Sequence, residues 1–409
     1  MSQLRIGVVC LHTDPFAVPG SGDVGGMNVV VRHTSAAIAA TGATVTVYTR
    51  RSDQHAPSTE VIDGVTVRRL PVGPATVLPK HGHDDLIDEF SAALRAEADV
   101  DLLHSHHWFS GMAAIPVARA RGIAHLQSFH SIAAAPQTPL TEGERPESPA
   151  RLPGELWLAQ HTDAIVAVSH AEADTTVRRL GADPARVHVI HPGVDATTFH
   201  PDPARQHTQP ARLLAAARLE PLKAIDLAIE TLAGLPAVEQ HCDGGPPQSL
   251  LPRLQVAGGA TSDRAYVRGL RRLATDLHVA DRVDFLGPQD RQQLATVMRQ
   301  ATLVLVPSHS ETYGLVSLEA AASGVPVVAA ASGGLAESVI DGVTGVLLPD
   351  WRPSTWVAAV ADLLADAPRR HRLGAAGRAH ALTRRWSDVA AATVEIYRNQ
   401  LGQADPTMG

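Results

Sequence analysis

The fold of this chain is constrained most by one feature of its sequence, the alternation of short apolar runs with helical stretches. The first run, Leu4–Leu11 (LRIGVVCL), is rich in β-branched residues and too short for a typical helix. Such near-continuous apolar runs are typical of strands buried on both faces of a parallel sheet, which helices connect as crossovers. The pattern therefore predicts an α/β fold built from βαβ units.

This alternation occurs twice. The first series predicts strands at Leu4–Leu11, Thr44–Thr49, Val100–His106, Ile123–His130, Ala164–Ser169 and Val187–Ile190. The second predicts strands at Arg212–Ala217, Leu254–Ala257, Val283–Leu286, Leu303–Pro307 and Val325–Ala330, with a surface loop at 240–252. Residues 192–210 are proline-rich and lack periodicity, as interdomain connections often do. We predict domains at 1–195 and 211–385, a linker at 196–210, and a C-terminal helix, 386–409, that rejoins the first domain.

Composition narrows the class of protein. The chain of 409 residues is 44% hydrophobic and 19% charged, which is enough to bury large cores. A net charge of −7 disfavours nucleic acid as a partner. Two cysteines exclude a disulfide scaffold. We expect a cytoplasmic protein without a membrane span, because no signal region and no apolar run of about 20 residues is present.

The most informative motif is residues 307–345, PSHSETYGLVSLEAAASGVPVVAAASGGLAESVIDGVTG. A predicted strand ends at Pro307, and a helix is predicted to begin near Tyr313. Glu311 would then precede the helix and Glu319 would lie about two turns into it. The first turn would offer unpaired backbone N–H groups, which attract phosphate, at Gly314, Leu315 and Val316. A second such helix end is predicted after Gly333 and Gly334.

Two cations follow the first strand of the second series. Arg218 and Lys223 stand five residues apart, at a predicted strand end and the following helix start. This placement allows both to contact one diphosphate, although surface cations with no such role are common. Gly258 and Gly259 follow the next predicted strand, where a glycine pair by itself indicates only a tight turn.

In the first series, glycines or histidines lie at or after the ends of several predicted strands. Gly25 and Gly26 close the loop PGSGDVGG before a predicted helix, where glycine permits close approach of a ligand. The histidines of HSHHWFSG (104–111) include a possible metal set. We predict no metal site there, because alternate strand residues face opposite ways and no carboxylate or cysteine accompanies them.

The motif S-x-S-E-T-Y-G-L-V-x-L-E-A, followed by G-x-P-V-V and G-G-L-A-E, resembles the nucleotide-sugar site of retaining glycosyltransferases of family 4. The resemblance extends over nearly the whole chain. It implies a GT-B fold, in which two Rossmann-like parallel-sheet domains face each other across a cleft. It also implies a sugar-nucleotide co-substrate, with no cofactor and no metal required for the chemistry.

The resemblance implies roles for the donor residues. Glu311 would contact the donor sugar, Glu319 the ribose hydroxyls, and His130 a sugar hydroxyl near the reaction centre. Arg218 and Lys223 would bind the diphosphate and stabilise the leaving group; Ala217 and Ala224 stand here where the family commonly has glycines. Further donor contacts are implied for Gly25, Gly26, Gly258, Tyr313, Gly314 and Leu315.

The string H-T-D-P-F-x-x-P-G-S-G-D-V-G-G-M-N-V resembles, within that family, the inositol-phosphate N-acetylglucosaminyltransferases of mycothiol biosynthesis. There the position of Asn28 meets the acceptor, and a Lys, a Tyr, a Thr and an Arg bind its phosphate. Lys80 and Arg151 match the Lys and the Arg, whereas His107 and Ser131 replace the Tyr and the Thr. Because a phosphate requires several charge-assisted donors, these replacements favour a neutral or cationic cyclitol.

We therefore expect a retaining hexosyltransferase that moves a hexosyl or aminohexosyl group from a UDP-sugar to a cyclitol hydroxyl. The first expectation for the acceptor is an aminocyclitol of the aminoglycoside-antibiotic type, and the alternative is D-inositol 3-phosphate. Epimerisation of a UDP-sugar, phosphorolysis, and sugar-nucleotide binding without turnover are the alternatives of other classes. The base, the sugar and the oligomeric state are left open, a homodimer being one option.

Overall fold

The computed structural model describes residues 3–17, 25–202, 210–240, 248–259 and 264–403. They divide into two compact units. The first unit holds residues 3–17, 25–193 and 385–403, and the second holds the described residues from 194 to 384. The described part of the segment predicted as a linker, 196–202 and 210, lies in the second unit.

The first unit is built on an eight-stranded sheet of order β3-β4-β2-β1-β5-β6-β7-β8. Its strands are β1 Arg5–Cys10, β2 Thr44–Arg50, β3 Thr59–Ile62, β4 Val65–Leu70, β5 Leu102–His106, β6 Ala124–Ser128, β7 Ala164–Ala167 and β8 Val187–Val189. The predicted parallel sheet is confirmed, and β3 adds an antiparallel edge that we did not predict. Asp63 and Gly64 form its turn with positive φ angles of 53° and 78°, as a tight hairpin requires.

Five helices connect these strands: α1 Gly26–Ala39, α2 Ile87–Glu97, α3 Trp108–Arg121, α4 Arg151–His161 and α5 His170–Leu180. A 3-10 segment at Lys80–Leu86 precedes α2. Among the described residues, two apolar clusters lie in the core of this unit. One contains Val9, Leu103 and Phe109, and the other contains Val8, Val47 and Leu126. Since Val8 and Val9 are neighbours in β1, the two clusters lie on opposite faces of the sheet.

The second unit has a six-stranded, parallel sheet of order β13-β12-β9-β14-β15-β16. Its strands, with the separate pair β10 and β11, are β9 Arg212–Ala216, β10 Val238–Gln240, β11 Gln248–Leu250, β12 Arg253–Ala257, β13 Val283–Gly287, β14 Leu303–Val306, β15 Val327–Ala330 and β16 Gly345–Leu348. The pair β10 and β11 is antiparallel. It corrects the prediction of a surface loop at 240–252, whose residues 241–247 lie outside the described residues.

The helices of the second unit are α6 Ile225–Gly234, α7 Arg264–Asp276, α8 Arg291–Gln300, α9 Leu315–Ala322, α10 Leu335–Ser338, α11 Pro353–Ala365 and α12 Ala367–Ala381. Strand β9 lies between β12 and β14, so the strand order reverses there. In open parallel sheets ligands bind beyond the carboxyl ends of the strands at such a reversal. The loops that follow β9, β12 and β14 are therefore the expected ligand-binding edge.

The last helix, α13 Trp386–Gln403, returns to the first unit. Tyr397 of this helix is buried, and its hydroxyl lies 2.7 Å from His104 Nδ1 in β5. His104 Nε2 lies 3.0 Å from Ser128 Oγ, which itself donates to Val166 O. Ser128 Oγ therefore accepts from His104 Nε2–H, so Nδ1 accepts from the Tyr397 hydroxyl. Among the described helices, none has both the length and the apolarity needed to cross a bilayer.

Tyr397→Phe tests this attachment of α13. We expect the free energy of unfolding to fall by about 1–3 kcal/mol, because the substitution leaves the buried His104 Nδ1 without a donor. Denaturant unfolding followed by circular dichroism measures the change. Tyr266→Phe is the control: its hydroxyl bond to Asp226 is exposed, and we expect a change within about 0.5 kcal/mol. Equal losses in the two variants would contradict the assignment.

Acid should destabilise the first unit. Burial lowers the pKa of His104 and of His125 to about 3, against 6.5 for an ordinary histidine. As the pH falls below the unfolded value, the unfolded chain binds protons that the folded chain excludes. Stability then falls by up to about 1.4 kcal/mol per pH unit for each histidine. Urea unfolding at about pH 7.5 and about pH 5 measures this, and an unchanged midpoint would show that these histidines do not contribute.

Candidate active site

The loop after β9 carries the two predicted phosphate-binding cations. Lys223 Nζ lies 2.8 Å from Glu311 Oε1, in the loop after β14, and Ser308 Oγ donates to the same oxygen at 3.0 Å. Arg218 forms an ion pair with Glu220 at 3.0 Å. Strands β9 and β14 are hydrogen-bonded neighbours, which is why residues 88 positions apart meet at this edge.

Gly258 holds the loop after β12 against the loop of Arg218. Its φ is +145°, and a Cβ at this position would lie 1.8 Å from Ala217 O. Ala217 N donates to Ala257 O and Leu219 N donates to Gly259 O, both at 3.0 Å. Only glycine fits this close approach, so the predicted donor-side residue Gly258 fixes the backbone beside Arg218.

Ala224, where the family commonly has glycine, ends the loop of Lys223 in a left-handed conformation. Its φ and ψ are 48° and 45°, and it precedes α6. For a residue with a Cβ this conformation costs about 1–2 kcal/mol. The left-handed backbone conformation explains why glycine suits this position. The alanine keeps the same turn at a modest cost in stability.

A pair of glycines cradles the backbone of Glu311. Gly334 N donates to Glu311 O at 2.9 Å, and a Cβ at Gly333 would lie 2.2 Å from that oxygen. We predicted a phosphate-attracting helix end at Gly333 and Gly334. Helix α10 begins at Leu335 with Gly334 as its N-cap, so the predicted helix end is present, but the helix is a single turn of four residues. That this end attracts a phosphate stays a prediction.

Helix α9 begins at Leu315, two residues later than predicted. Gly314 is its N-cap, with a φ of +96°. Tyr313 is buried, and burial raises its pKa to about 12. The first amides of α9, from Leu315 onward, have no carbonyl one turn earlier within the helix. These amides, Lys223 and Glu311 all follow the neighbouring strands β9 and β14.

Glu319 lies in the second turn of α9 and is buried. Its carboxylate pairs with Arg291, the first residue of α8, whose guanidinium also stacks 4.6 Å from the centre of the Phe199 ring. Burial raises the pKa of Glu319, and the charge of Arg291 opposes that shift. The structure thus joins Glu319 to Arg291 rather than to the Lys223–Glu311 pair.

Three of the predicted acceptor residues come together in the first unit. Arg151 Nη2 donates to Ser131 Oγ at 2.9 Å, while Lys80 Nζ lies 2.9 Å from Glu144 Oε1. The second oxygen of Glu144 lies 3.5 Å from Arg151 Nη1. Arg151 is fully buried and also pairs with Glu147 and Glu155, at 2.6 and 2.7 Å. We call Lys80, Ser131, Glu144 and Arg151 the acceptor cluster.

Burial and the neighbouring carboxylates shift the pKa of Arg151 in opposite directions. Burial alone would lower the pKa of this guanidinium, and Glu144, Glu155 and Glu147 reverse the effect, so its pKa is raised above the ordinary value. Burial raises the pKa of Glu155, and Arg151 opposes that shift. The charge of Arg151 is thus compensated within the protein.

His107 lies beside the acceptor cluster. It is the N-cap of α3, with a φ of +69°. Its ring centre lies 4.4 Å from that of His12 and 4.9 Å from that of Phe109. Both ring nitrogens are buried without a hydrogen-bond partner among the described residues. Burial lowers the pKa of His107, and His12, Lys80 and Arg151 lower it further. The ring is therefore neutral and offers one donor and one acceptor.

His130, the predicted cleft histidine, follows β6 with a φ of +60°. Its Nε2 lies 2.7 Å from His106 Nδ1, and burial lowers its pKa to about 4. The carboxylate of Glu172 accepts from Val168 N at 2.7 Å and faces the backbone N–H of His130. Burial raises the pKa of Glu172 to about 7, although hydrogen bonds from those two amides act to lower it. A buried imidazole and a buried carboxyl group thus hold His130.

The predicted residues of the glycine-rich loop lie at the start of α1. Gly25 is the N-cap and Gly26 the first helical residue, while residues 18–24 of this loop lie outside the described residues. Asn28 Oδ1 accepts from Gly25 N at 3.1 Å, and its Nδ2 donates to Thr13 Oγ1 at 2.9 Å. This side chain holds the loop between β1 and α1 and makes no contact with the acceptor cluster, so its predicted role with the acceptor stays a prediction.

Several side chains at these sites were missed. Glu155 had a signal, because it stands four residues after Arg151 on α4, the spacing of an ion pair on a helix. Arg291 had none, since nothing in the sequence links it to Glu319, 28 positions away. Glu172 was also missed, because its effect on His130 depends on packing between the segments after β6 and β7.

Comparisons with known proteins identify the family of the chain. The family model described as "Glycosyltransferase Family 4" matches residues 24–198, and the model described as "Glycosyl transferases group 1" matches residues 197–380. The chain is 39% identical to a D-inositol 3-phosphate glycosyltransferase of Mycobacteroides abscessus, over 96% of this chain and 88% of that protein. It is 38% identical to one of Catenulispora acidiphila, over 97% and 96%.

Solved structures show the same fold. A sucrose-phosphate synthase from Thermosynechococcus elongatus superposes with a TM-score of 0.85 at 27% identity, over 98% of this chain and all of that one. HepE of Anabaena, solved with UDP-glucose, has a TM-score of 0.75 at 19% identity, over 97% of this chain and 100% of that one. With a GT-B fold and relatives matched along almost its whole length, the chain belongs to the family 4 glycosyltransferases and is a hexosyltransferase.

Proposed function

We propose that this enzyme transfers a hexosyl or aminohexosyl group from a UDP-sugar to a hydroxyl of a cyclitol, with retention of anomeric configuration. The 2.8 Å contact between Lys223 and Glu311 carries the proposal. A diphosphate bound by Lys223 would have its attached sugar next to Glu311. A cation and a hydrogen-bond-accepting carboxylate at this spacing suit the two halves of a sugar nucleotide.

Catalysis in this proposal is mainly electrostatic. Arg218, Lys223 and the first amides of α9 neutralise the charge that develops on the departing diphosphate. Glu311 orients the sugar, and Glu319 binds the ribose hydroxyls. The contact of His130 with a sugar hydroxyl stays a prediction. The leaving phosphate oxygen accepts the proton of the attacking hydroxyl on the same face of the sugar, which retains the configuration. Protein cations supply the charge, so we propose that no metal is required.

We propose D-inositol 3-phosphate as the first candidate acceptor, ahead of the aminocyclitol that the sequence favoured. The names of relatives 38–39% identical over nearly the whole chain support it. Lys80 and Arg151 provide two cations for a phosphate, and the Ser131 hydroxyl, which lies 2.9 Å from Arg151, provides a further donor.

A specific observation keeps an aminocyclitol as the second candidate. Glu144, Glu147 and Glu155 surround Arg151, and Glu144 also pairs with Lys80. Three carboxylates against two cations suit an acceptor that carries ammonium groups. This candidate would place the enzyme in aminoglycoside-type biosynthesis. We propose that the enzyme is located in the cytoplasm, whichever acceptor it uses.

Lys223→Ala tests the donor site. We expect kcat to fall by about 10²–10³, or about 2.7–4 kcal/mol of barrier, because one stabiliser of the leaving diphosphate is lost. Initial rates of UDP release with a saturating acceptor measure this. Arg253→Ala is the control, because Arg253 pairs with Asp284 in the same unit and is partly exposed. Near-normal turnover in Lys223→Ala would refute the assigned role.

A competition experiment tests the acceptor. The enzyme receives D-inositol 3-phosphate and 2-deoxystreptamine together, with UDP-glucose, UDP-glucosamine or UDP-N-acetylglucosamine, and mass spectrometry identifies the products. We expect the glycosylated inositol phosphate, because the relatives' acceptor carries a phosphate. A glycosylated amine alone would establish the second candidate. Donor conversion without any acceptor, or only with inorganic phosphate, would point to epimerisation or phosphorolysis.

A further inference from the structure

The carboxylate of Glu144 bridges the two cations of the acceptor cluster. One of its oxygens lies 2.9 Å from Lys80 Nζ and the other lies 3.5 Å from Arg151 Nη1. Each cation therefore has a carboxylate oxygen in the direction from which the oxygens of a bound anion would approach. A single anion that contacted both Lys80 and Arg151 would occupy the place of this carboxylate.

Glu144 is the partner of Arg151 that can be displaced. The side chain of Arg151 has no exposed surface, and those of Glu155 and Glu147 are 1% and 9% exposed. Glu144 is 18% exposed and makes the longest of the three contacts. If its carboxylate moved away, Arg151 would keep Glu147 and Glu155, and one face of its Nη1 would open.

Only the side chain of Glu144 has to move. Its backbone oxygen accepts from Ala134 N at 2.8 Å, which fixes the chain there. Arg151 Nη2 meanwhile donates to the backbone oxygen and the hydroxyl of Ser131, at 3.2 and 2.9 Å, so the guanidinium stays in place. Arg151 would thus remain where an incoming anion needs it.

Further donors lie around this position. The Ser131 hydroxyl accepts from Arg151, so its own proton is available for another acceptor. The neutral ring of His107 is buried, and both its nitrogens lack a partner within the described ranges. A phosphate there would have two cations and two neutral donors. The negative charge of Glu144 would oppose this phosphate as long as the carboxylate stays between the two cations.

We propose that Glu144 is a specificity-determining residue, an internal carboxylate that competes with the acceptor's phosphate for Lys80 and Arg151. The ligand class is a phosphate monoester of a cyclitol. The inference rests on the proposed acceptor site, but not on the identity of the transferred sugar. The strength of this competition sets how well the enzyme accepts anionic substrates relative to neutral or cationic ones.

Binding of D-inositol 3-phosphate and of inorganic phosphate to Glu144→Gln tests the proposal. Isothermal calorimetry without a donor measures Kd independently of turnover. We expect Kd for both ligands to fall at least tenfold, since the competing charge is removed while the shape is kept. Glu142→Gln is the matched control: Glu142 pairs with Arg179 instead, and we expect no change.

Glu144→Asp separates charge from shape. It keeps the negative charge, and we expect its Kd for phosphate to stay within about threefold of that of the unaltered enzyme. An unchanged or raised Kd in Glu144→Gln, or an equal gain in Glu144→Asp, would overturn the proposal.

Turnover separates this proposal from the proposed function. If Glu144→Gln binds inositol phosphate more tightly but no variant glycosylates it, the competition stands and the assigned acceptor fails. If the unaltered enzyme glycosylates inositol phosphate and Glu144→Gln does so with an unchanged KM and Kd, the acceptor stands and the role of Glu144 fails.

Discussion

The contact between Lys223 and Glu311 is the interaction on which the proposed donor site depends. It exists because β9 and β14 are adjacent in the sheet, so that the loops after them reach the same edge. Glycine positions then fix those loops, since Gly258 lies against Ala217 and Gly333 lies against Glu311. Both contacts are too close for a Cβ. The charged pair thus depends on backbone packing as much as on its own attraction.

A different constraint applies to the acceptor cluster. Arg151 is fully buried, and a buried guanidinium without compensation would cost several kcal/mol. Glu147 and Glu155 provide that compensation, so the same carboxylates that make the arginine tolerable also reduce the positive charge that a substrate meets. The relatives are named for an inositol phosphate, whereas the acceptor cluster lies among carboxylates. The two observations are compatible if Glu144, the third carboxylate beside Arg151, can be displaced.

Much of the fold, and the positions of Glu311 and Glu319 within it, could be predicted from the sequence, because both depend on local patterns. Apolar runs marked the parallel strands, and the motif around Glu311 and Glu319 fixed their places beside a strand end and on a helix. Strands β3, β4, β10, β11 and β16 were missed. Four of them are only three or four residues long, and Arg68 and Arg69 interrupt the apolar run of β4. The pairing of Glu319 with Arg291 and the support of His130 by Glu172 arise from tertiary packing, which no spacing in the sequence encodes.

The path of the chain has a consequence for how this protein is made. The polypeptide leaves the first unit at Gly193 and returns only at Arg385, so the second unit is inserted within the first. During synthesis from the N-terminus, the second unit emerges whole before α13 exists. Until then the first unit lacks the apolar side chains of Ala390, Val394 and Tyr397, which complete one of its cores. A nascent chain therefore carries an unfinished hydrophobic face while residues 194–384 are synthesised.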